Sequence, residues 1–343
     1  MGIIGQNFSN NLNILMDNPK IVWGIIGCGD VTEKKSGPAF NRINNSQLMA
    51  VMRRDAAKAA DYASRHQVPL WYSDADDLLD NIDLNAIYVA TPPSSHLAYA
   101  LSALRRGKSV YVEKPVTLNA IEAETLLQEV KERDGKLVVA HYRRQLPMFL
   151  KVKELIENGG IGELRTVQLR LWQSRMPDLV TKGGGDWRTD PAVSGGGYFF
   201  DLAPHQLDLM LYFFGMPVSY DGFSLIQDKE SAVADLTTGT ILFENQLVFN
   251  GSWCFNVAKE NQVDKVEIVG SLGHITFSIF GNSVVVKTRD GEEEFVFDHP
   301  ENIQLPMISR TVDYFSGIGP NPSPIEEALV LMKIIDNFST IRP

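Results

Sequence analysis

The sequence predicts an α/β fold in two parts: a doubly wound parallel sheet, then a second α/β unit carrying a large, mainly antiparallel open sheet. Three observations predict it. From residue 21 to 140, apolar runs alternate with helix-period segments, the arrangement of a parallel sheet covered on both faces. The first of these runs, Ile21-Val22-Trp23-Gly24-Ile25-Ile26, leads straight into Gly27-Cys28-Gly29. Past Pro147 the runs become long and β-type, joined by turn-like dipeptides rather than helices. At 343 residues the chain exceeds the usual single core, so two domains are expected at 21–141 and 142–343, behind an extension at 1–20.

Strands are expected at 21–26, 48–52, 68–71, 86–90, 109–112 and 137–140. Helices are expected between them at 56–65, 95–106 and 120–133, with Ser94 or Ser95 capping the second and Gly107 and Gly135 stopping the second and third. In such a sheet ligands bind outside the carboxyl ends of the strands. After Pro147, a helix near 148–157 precedes strands at 164–172, 232–243, 246–256, 265–269, 274–279, 283–287 and 294–297. Glu244-Asn245, Gly281-Asn282 and Asp290-Gly291 are the hairpin turns. The stretch 176–197, polar and rich in glycine, interrupts these runs, and loops of that length are often functional. A C-terminal helix is placed to pack back on the first domain.

Composition narrows the function classes. The hydrophobic content of 44% and charged content of 22% are those of a globular protein. A formal net charge of −10 argues against nucleic acid and against an anionic membrane surface. Cys28 and Cys254 provide neither a disulfide framework nor a metal cluster, which suits a reducing, cytoplasmic compartment. No apolar run approaches the roughly 20 residues that span a bilayer. Residues 1–20, rich in Asn, do not resemble a secretion signal and carry no expected chemistry.

The chemistry is expected at the sheet edge. Gly27 supplies a tight turn, Gly29 lets the backbone approach a phosphate, and the helix opening at Asp30 and Val31 offers unpaired N–H groups and a positive dipole end to a dinucleotide pyrophosphate. A glycine pair after a strand is also an ordinary strand-to-helix turn, and Thr32 departs from the third small residue of the usual pattern. Arg53-Arg54 ends the second strand where NAD-binding proteins place an acid, so it points to the 2′-phosphate of NADP; the plain alternative is two solvated arginines. The loops Thr91-Pro92-Pro93-Ser94-Ser95-His96 and Glu113-Lys114-Pro115 emerge on the same edge. There Lys114 would donate to a substrate oxygen beside the nicotinamide, unless it only pairs with Glu113; His96 suits cofactor contact or loop packing.

Gly195-Gly196-Gly197 opens a segment in which Asp201 and His205, at i and i+4, and Asp208 share one helix face. A carboxylate there would orient a general-base imidazole. Pro204 either kinks that helix or lies in its first turn, where Asp201 would be a cap. Gln168, Arg170 and Trp172 are candidate pocket residues on the second sheet.

In this order and spacing, Gly27-Cys28-Gly29, Thr91-Pro92-Pro93 with His96, Glu113-Lys114-Pro115 and the triple glycine followed by Asp201 and His205 resemble the Gfo/Idh/MocA oxidoreductases. The resemblance runs from Ile21 nearly to the end. It implies an N-terminal Rossmann domain, a C-terminal α/β domain whose open sheet forms a homodimer or homotetramer interface, and NAD or NADP as cofactor. It also implies redox chemistry on a hydroxyl–carbonyl pair of a sugar or polyol, with no metal. By resemblance Lys114 is the active-site lysine, His205 the acid–base and Asp201 the acid of the same motif, with Lys114–Pro115 often cis. Arg143 in Tyr142-Arg143-Arg144 matches a segment near the nicotinamide, and Trp187-Arg188 a substrate- or cofactor-facing element. Met52-Arg53-Arg54 looks closer to the NADP-using members. An NAD-dependent glycosidase of the same fold and a non-catalytic dinucleotide sensor are the competing readings; retention of Lys114 and His205 argues against the sensor.

Overall fold

The computed structural model describes residues 19–175, 179, 190–229 and 231–342. Six parallel strands form the first sheet: β1 (Ile21–Ile26), β2 (Ser46–Met52), β3 (Leu70–Tyr72), β4 (Ala86–Val89), β5 (Ser109–Val112) and β6 (Leu137–Val139), in the order β3-β2-β1-β4-β5-β6. The strand order reverses between β1 and β4, which leaves a crevice at their carboxyl ends. Trp23 of β1 is wholly buried against Phe40, Tyr111 and Phe315, the last from the helix Leu305–Phe315, so the end of the chain helps close this sheet. Asp55 and Asn119 cap their helices through Lys58 N and Glu122 N. The expected serine cap of the helix His96–Arg105 is absent; Ser95 Oγ donates instead to Thr91 Oγ1, at 2.8 Å.

The second sheet has eight strands: β7 (Leu164–Trp172), β8 (Pro217–Leu225), β9 (Leu236–Phe243), β10 (Val248–Cys254), β11 (Val263–Gly270), β12 (Gly273–Phe277), β13 (Ser283–Thr288) and β14 (Gly291–Val296). Their order is β14-β13-β12-β11-β7-β10-β9-β8, antiparallel except for the central β7–β10 pair. β8 has no counterpart among the strands expected from sequence, because Pro217, Asp221 and Gly222 disrupt its pattern; as an edge strand it tolerates them.

One face of this sheet is covered. Gly222 and Gly239 lie opposite each other in register, and a Cβ on either would collide with Phe338 of the helix Ile325–Phe338. The same face buries Val167, Leu169 and Leu171 of β7 and receives the helix Tyr198–Phe214 through the Phe199–Trp253 ring pair. Gln168, Arg170 and Trp172 alternate with those residues and project from the opposite, open face, which removes them from a pocket on the helix side.

Candidate active site

β1 runs into Gly27 at φ +96°, where a Cβ would sit 2.7 Å from Thr91 Cγ2 and 2.9 Å from Thr91 N. Only glycine therefore lets the loops after β1 and β4 meet. At Gly29 an added Cβ would meet nothing nearer than Gly27 O, at 4.0 Å, so one side of this backbone is open to a phosphate. Helix Asp30–Lys34 follows with no side-chain cap, leaving its first amides for an anion. Thr32 fits the loop because its buried hydroxyl donates to Gly29 O at 2.8 Å, while Tyr62 Oη donates to Thr32 O at 2.9 Å.

Arg53 stands over this loop, its Nη1 donating to Cys28 O at 3.1 Å. Arg54 is exposed and borders a cavity of about 320 Å³ between the ends of β2 and β3, with Ser73, Asp74, Tyr99 and Ser102 among the lining residues. These features fit the adenosine end of a dinucleotide.

The loops after β4 and β5 are tied together. His96 is fully buried, with Nε2 2.7 Å from Thr91 O and Nδ1 2.9 Å from Pro115 O. Both ring nitrogens are thus engaged inside the protein, and His96 joins the two loops rather than facing a cofactor. A neutral ring donates to only one of those carbonyls, yet burial still holds its pKa below the ordinary histidine value. Glu113 is also turned inward: its carboxylate accepts from Tyr88 Oη at 2.6 Å and from Gln304 Nε2 at 2.7 Å. The Lys114–Pro115 bond is cis.

The helix Tyr198–Phe214 passes through Pro204 without ending, so Asp201 lies in its first turn and the cap position belongs to Gly197. Lys114 Nζ reaches this turn from the first sheet, donating to Asp201 Oδ1 and to Asp201 O, each at 2.8 Å. His205 follows one turn later on the same face, buried and packed edge-to-face with the Tyr142 and Phe280 rings. Its Nδ1 has no hydrogen-bond partner among the described residues. Burial pushes its pKa well below the ordinary histidine value, and the positive charges of Lys114 and Arg143 push the same way.

The expected carboxylate–imidazole contact is thus replaced. Asp201 binds the lysine, and Asp208 takes Arg144, whose Nη2 lies 2.6 Å from Asp208 Oδ1. Glu327 completes the Arg144 site from the helix Ile325–Phe338. His141 Nδ1 approaches Asp208 Oδ1 at 3.3 Å, too poorly aligned for a hydrogen bond; burial lowers the pKa of its ring to about 4. His141 and Gln304 were not singled out from sequence. The run of four polar or aromatic residues from His141 to Arg144, immediately after β6, was the available signal for the first; nothing local marks Gln304. Arg143 is buried, stacked on Phe280 at 4.4 Å and Tyr142 at 5.3 Å, with Nη1 donating to Ile279 O. Trp187 and Arg188 lie outside the described residues.

A reversing parallel sheet with an open glycine edge, faced by polar side chains of the helix Tyr198–Phe214, defines a dinucleotide-dependent oxidoreductase. Residues 21–141 match the oxidoreductase family with an NAD-binding Rossmann fold, and residues 149–276 match the GFO/IDH/MocA C-terminal domain. The chain belongs to this family and binds NAD(P). It is similar to Oxidoreductase P35 of Formosa agariphila, 44% identical over 93% of this chain and 98% of that protein. Two solved structures share the fold. The 3-ketoreductase KijD10 from Actinomadura kijaniata, in complex with NADP and TDP-benzene, has a TM-score of 0.80 at 22% identity, covering 95% of this chain and 100% of that one. Levoglucosan dehydrogenase with NADH and levoglucosan has a TM-score of 0.80 at 21% identity, covering 93% and 95%.

Proposed function

We propose that the protein moves hydride between NADP, or NAD, and a hydroxyl–carbonyl carbon of a sugar or polyol. The observation that carries this reading is Lys114 of the first sheet bonded to the first turn of the helix that holds His205. When bound, the nicotinamide ring donates or accepts the hydride. The residues that would hold its dinucleotide are Gly27, Gly29, Asp30 and Val31 at the pyrophosphate, Arg53 and Arg54 at the 2′-phosphate, and Thr91, Pro92 and Pro93 in the adjoining loop.

His205 is the proton carrier. Its ring is neutral at neutral pH, so it takes the hydroxyl proton during oxidation and returns it during reduction. Lys114 holds and polarises the same substrate oxygen, and the Asp201 carboxylate fixes the lysine head. Sugar-directed relatives support the substrate class: a dTDP-sugar 3-reductase of Streptomyces antibioticus is 30% identical over 64% of either chain, and levoglucosan dehydrogenase shares the fold. The arginine pair favours NADP. The open face of the second sheet is the proposed homodimer or homotetramer surface.

The test is a panel of aldoses, ketoses, inositols and nucleotide sugars, run with NADP and with NAD while reduced-nicotinamide absorbance is followed. Turnover of at least one member is expected. A silent panel, with the cofactor still bound, would transfer the case to a dinucleotide sensor. Hydrolysis without net absorbance change would instead identify an NAD-dependent glycosidase.

A further inference from the structure

Lys114 has one carboxylate beside it in sequence and another facing it from the helix Tyr198–Phe214, and it pairs with the second. Its ion pair among the described residues is with Asp201, at 2.8 Å. The Glu113 carboxylate is occupied elsewhere. Its Oε1 accepts from Tyr88 Oη at 2.6 Å and from Gln304 Nε2 at 2.7 Å, while Oε2 accepts from the backbone N–H of Lys114 at 3.2 Å. Glu113 thus holds the main chain of the lysine and leaves its ammonium alone.

Of these donors, Gln304 comes from furthest along the chain and is itself fixed on every side. It is 1% exposed and stands at the N-cap of the helix Leu305–Phe315. A carboxylate only accepts, so the amide nitrogen must face Glu113, which leaves Gln304 Oε1 to accept from Tyr111 Oη at 3.0 Å. Burial raises the pKa of Tyr88 and Tyr111 well above the ordinary tyrosine value, so both hydroxyls keep the proton they donate. The main chain is tied down as well. Gln304 N donates to Lys35 O at 3.1 Å and Asn302 Nδ2 to Lys34 O at 2.7 Å, anchoring this segment on the far end of the uncapped helix Asp30–Lys34.

We infer that Gln304 is a positioning residue: by holding the Glu113 carboxylate inward it keeps that carboxylate from capturing the Lys114 ammonium, which stays with Asp201 and the substrate oxygen. The role given to Lys114 rests on the oxidoreductase reading, and the inference adds to it the residue that keeps the lysine available. A buried carboxylate deprived of a donor must find another, and the adjoining residue carries an ammonium that can supply it. A lysine shared by two carboxylates is held more firmly in its charged form and is less free to follow a substrate oxygen. The Glu–Lys pair that adjacency in sequence suggests is what this amide prevents.

The experiment introduces Gln304→Leu, which keeps the bulk and removes the amide, into the full-length protein and into an E113Q background. The Lys114 side chain is 12% exposed, so a small reagent can reach it. Its acetylation by acetic anhydride, followed by mass spectrometry of the peptide that contains it, needs no substrate. In Q304L this reaction should slow by about fivefold or more, because a second carboxylate holds the ammonium charged. In E113Q/Q304L it should match E113Q within about twofold, since the competing charge is gone. With any compound that the protein turns over, kcat should fall about tenfold or more in Q304L, and by less than about threefold when Q304L is added to E113Q. The cofactor dissociation constant should stay within about twofold throughout, because the glycine edge is untouched. Thermal melts show which variants are folded; Tyr88→Phe, which removes the other donor to the same oxygen, should act in the same direction and serves if Q304L does not fold. Equal losses in both backgrounds would overturn the inference, since they would make the amide a packing element. Unchanged acetylation and turnover in Q304L would overturn it too. Slowed, Glu113-dependent acetylation in a protein that turns over no compound would support the hold on Lys114 and count against the oxidoreductase reading.

Discussion

The edge of the first sheet and the helix Tyr198–Phe214 face the same chemistry but are made from different materials. The sheet edge is largely main chain: Gly27 and Gly29 give close approach and an open backbone, and the short helix after them presents uncapped amides. The helix contributes side chains instead, Asp201, His205 and Asp208, and two of these are fixed by partners distant in sequence, Lys114 and Arg144. The difference teaches that cofactor affinity and turnover should separate under mutation, because different chemical groups supply them.

The largest separation is expected for His205→Ala. Loss of an acid–base group lowers turnover by about 10²–10⁴-fold, while the cofactor dissociation constant, read by nicotinamide fluorescence, should stay within about twofold. Comparable losses in both would dissolve the contrast between the two regions. Next in size is Arg144→Met, which strands Asp208 and Glu327 beside one another; removing one partner of a buried ion pair costs about 3–5 kcal/mol. Urea unfolding should show this loss, and an unchanged midpoint would mean the cluster does not hold the helix.

A smaller effect, confined to the sheet edge, is expected at Arg53. A charge-assisted bond is worth about 1.5–3 kcal/mol, so Arg53→Ala should weaken NADP by roughly tenfold or more and NAD hardly at all. Equal losses for both cofactors would assign Arg53 to the Cys28 carbonyl alone. A separate effect, on stability alone, concerns pH. His96, His141 and His205 are buried with pKa values below that of the unfolded chain, near 6.5. As pH falls through that value the unfolded chain takes up protons that the folded protein refuses, so stability declines. For His141 the decline continues to about pH 4. A histidine contributes at most about 1.4 kcal/mol per pH unit, between its folded and unfolded values, and the slope is checked by urea midpoints at pH 7, 6 and 5. A flat profile would show that these rings are protonated in the folded state.

How far each region was legible follows the same division. Gly27 and Gly29 were readable because a strand-to-helix turn is encoded by adjacent residues, and Asp201 with His205 because helical spacing alone places them on one face. That the Asp201 carboxylate binds a lysine 87 residues earlier could not be read from helical spacing. His96 looked available for a cofactor, and only its two carbonyl partners show it facing inward. Glu113 was turned the same way by Gln304, which arrives from 191 residues further on. β8 went unseen because an edge strand needs no continuous alternation.

Local order in the chain was sufficient to determine the two-sheet architecture and the glycine edge, and to single out Lys114 and His205 as candidates, because periodicity and turn chemistry act over a few residues. Tertiary structure alone decided which charges are compensated. Asp201 for Lys114, and Asp208 with Glu327 for Arg144, are consequences of which distant segments pack together. Burial is what gives those choices their weight, since an ion pair that water would screen becomes decisive once water is excluded.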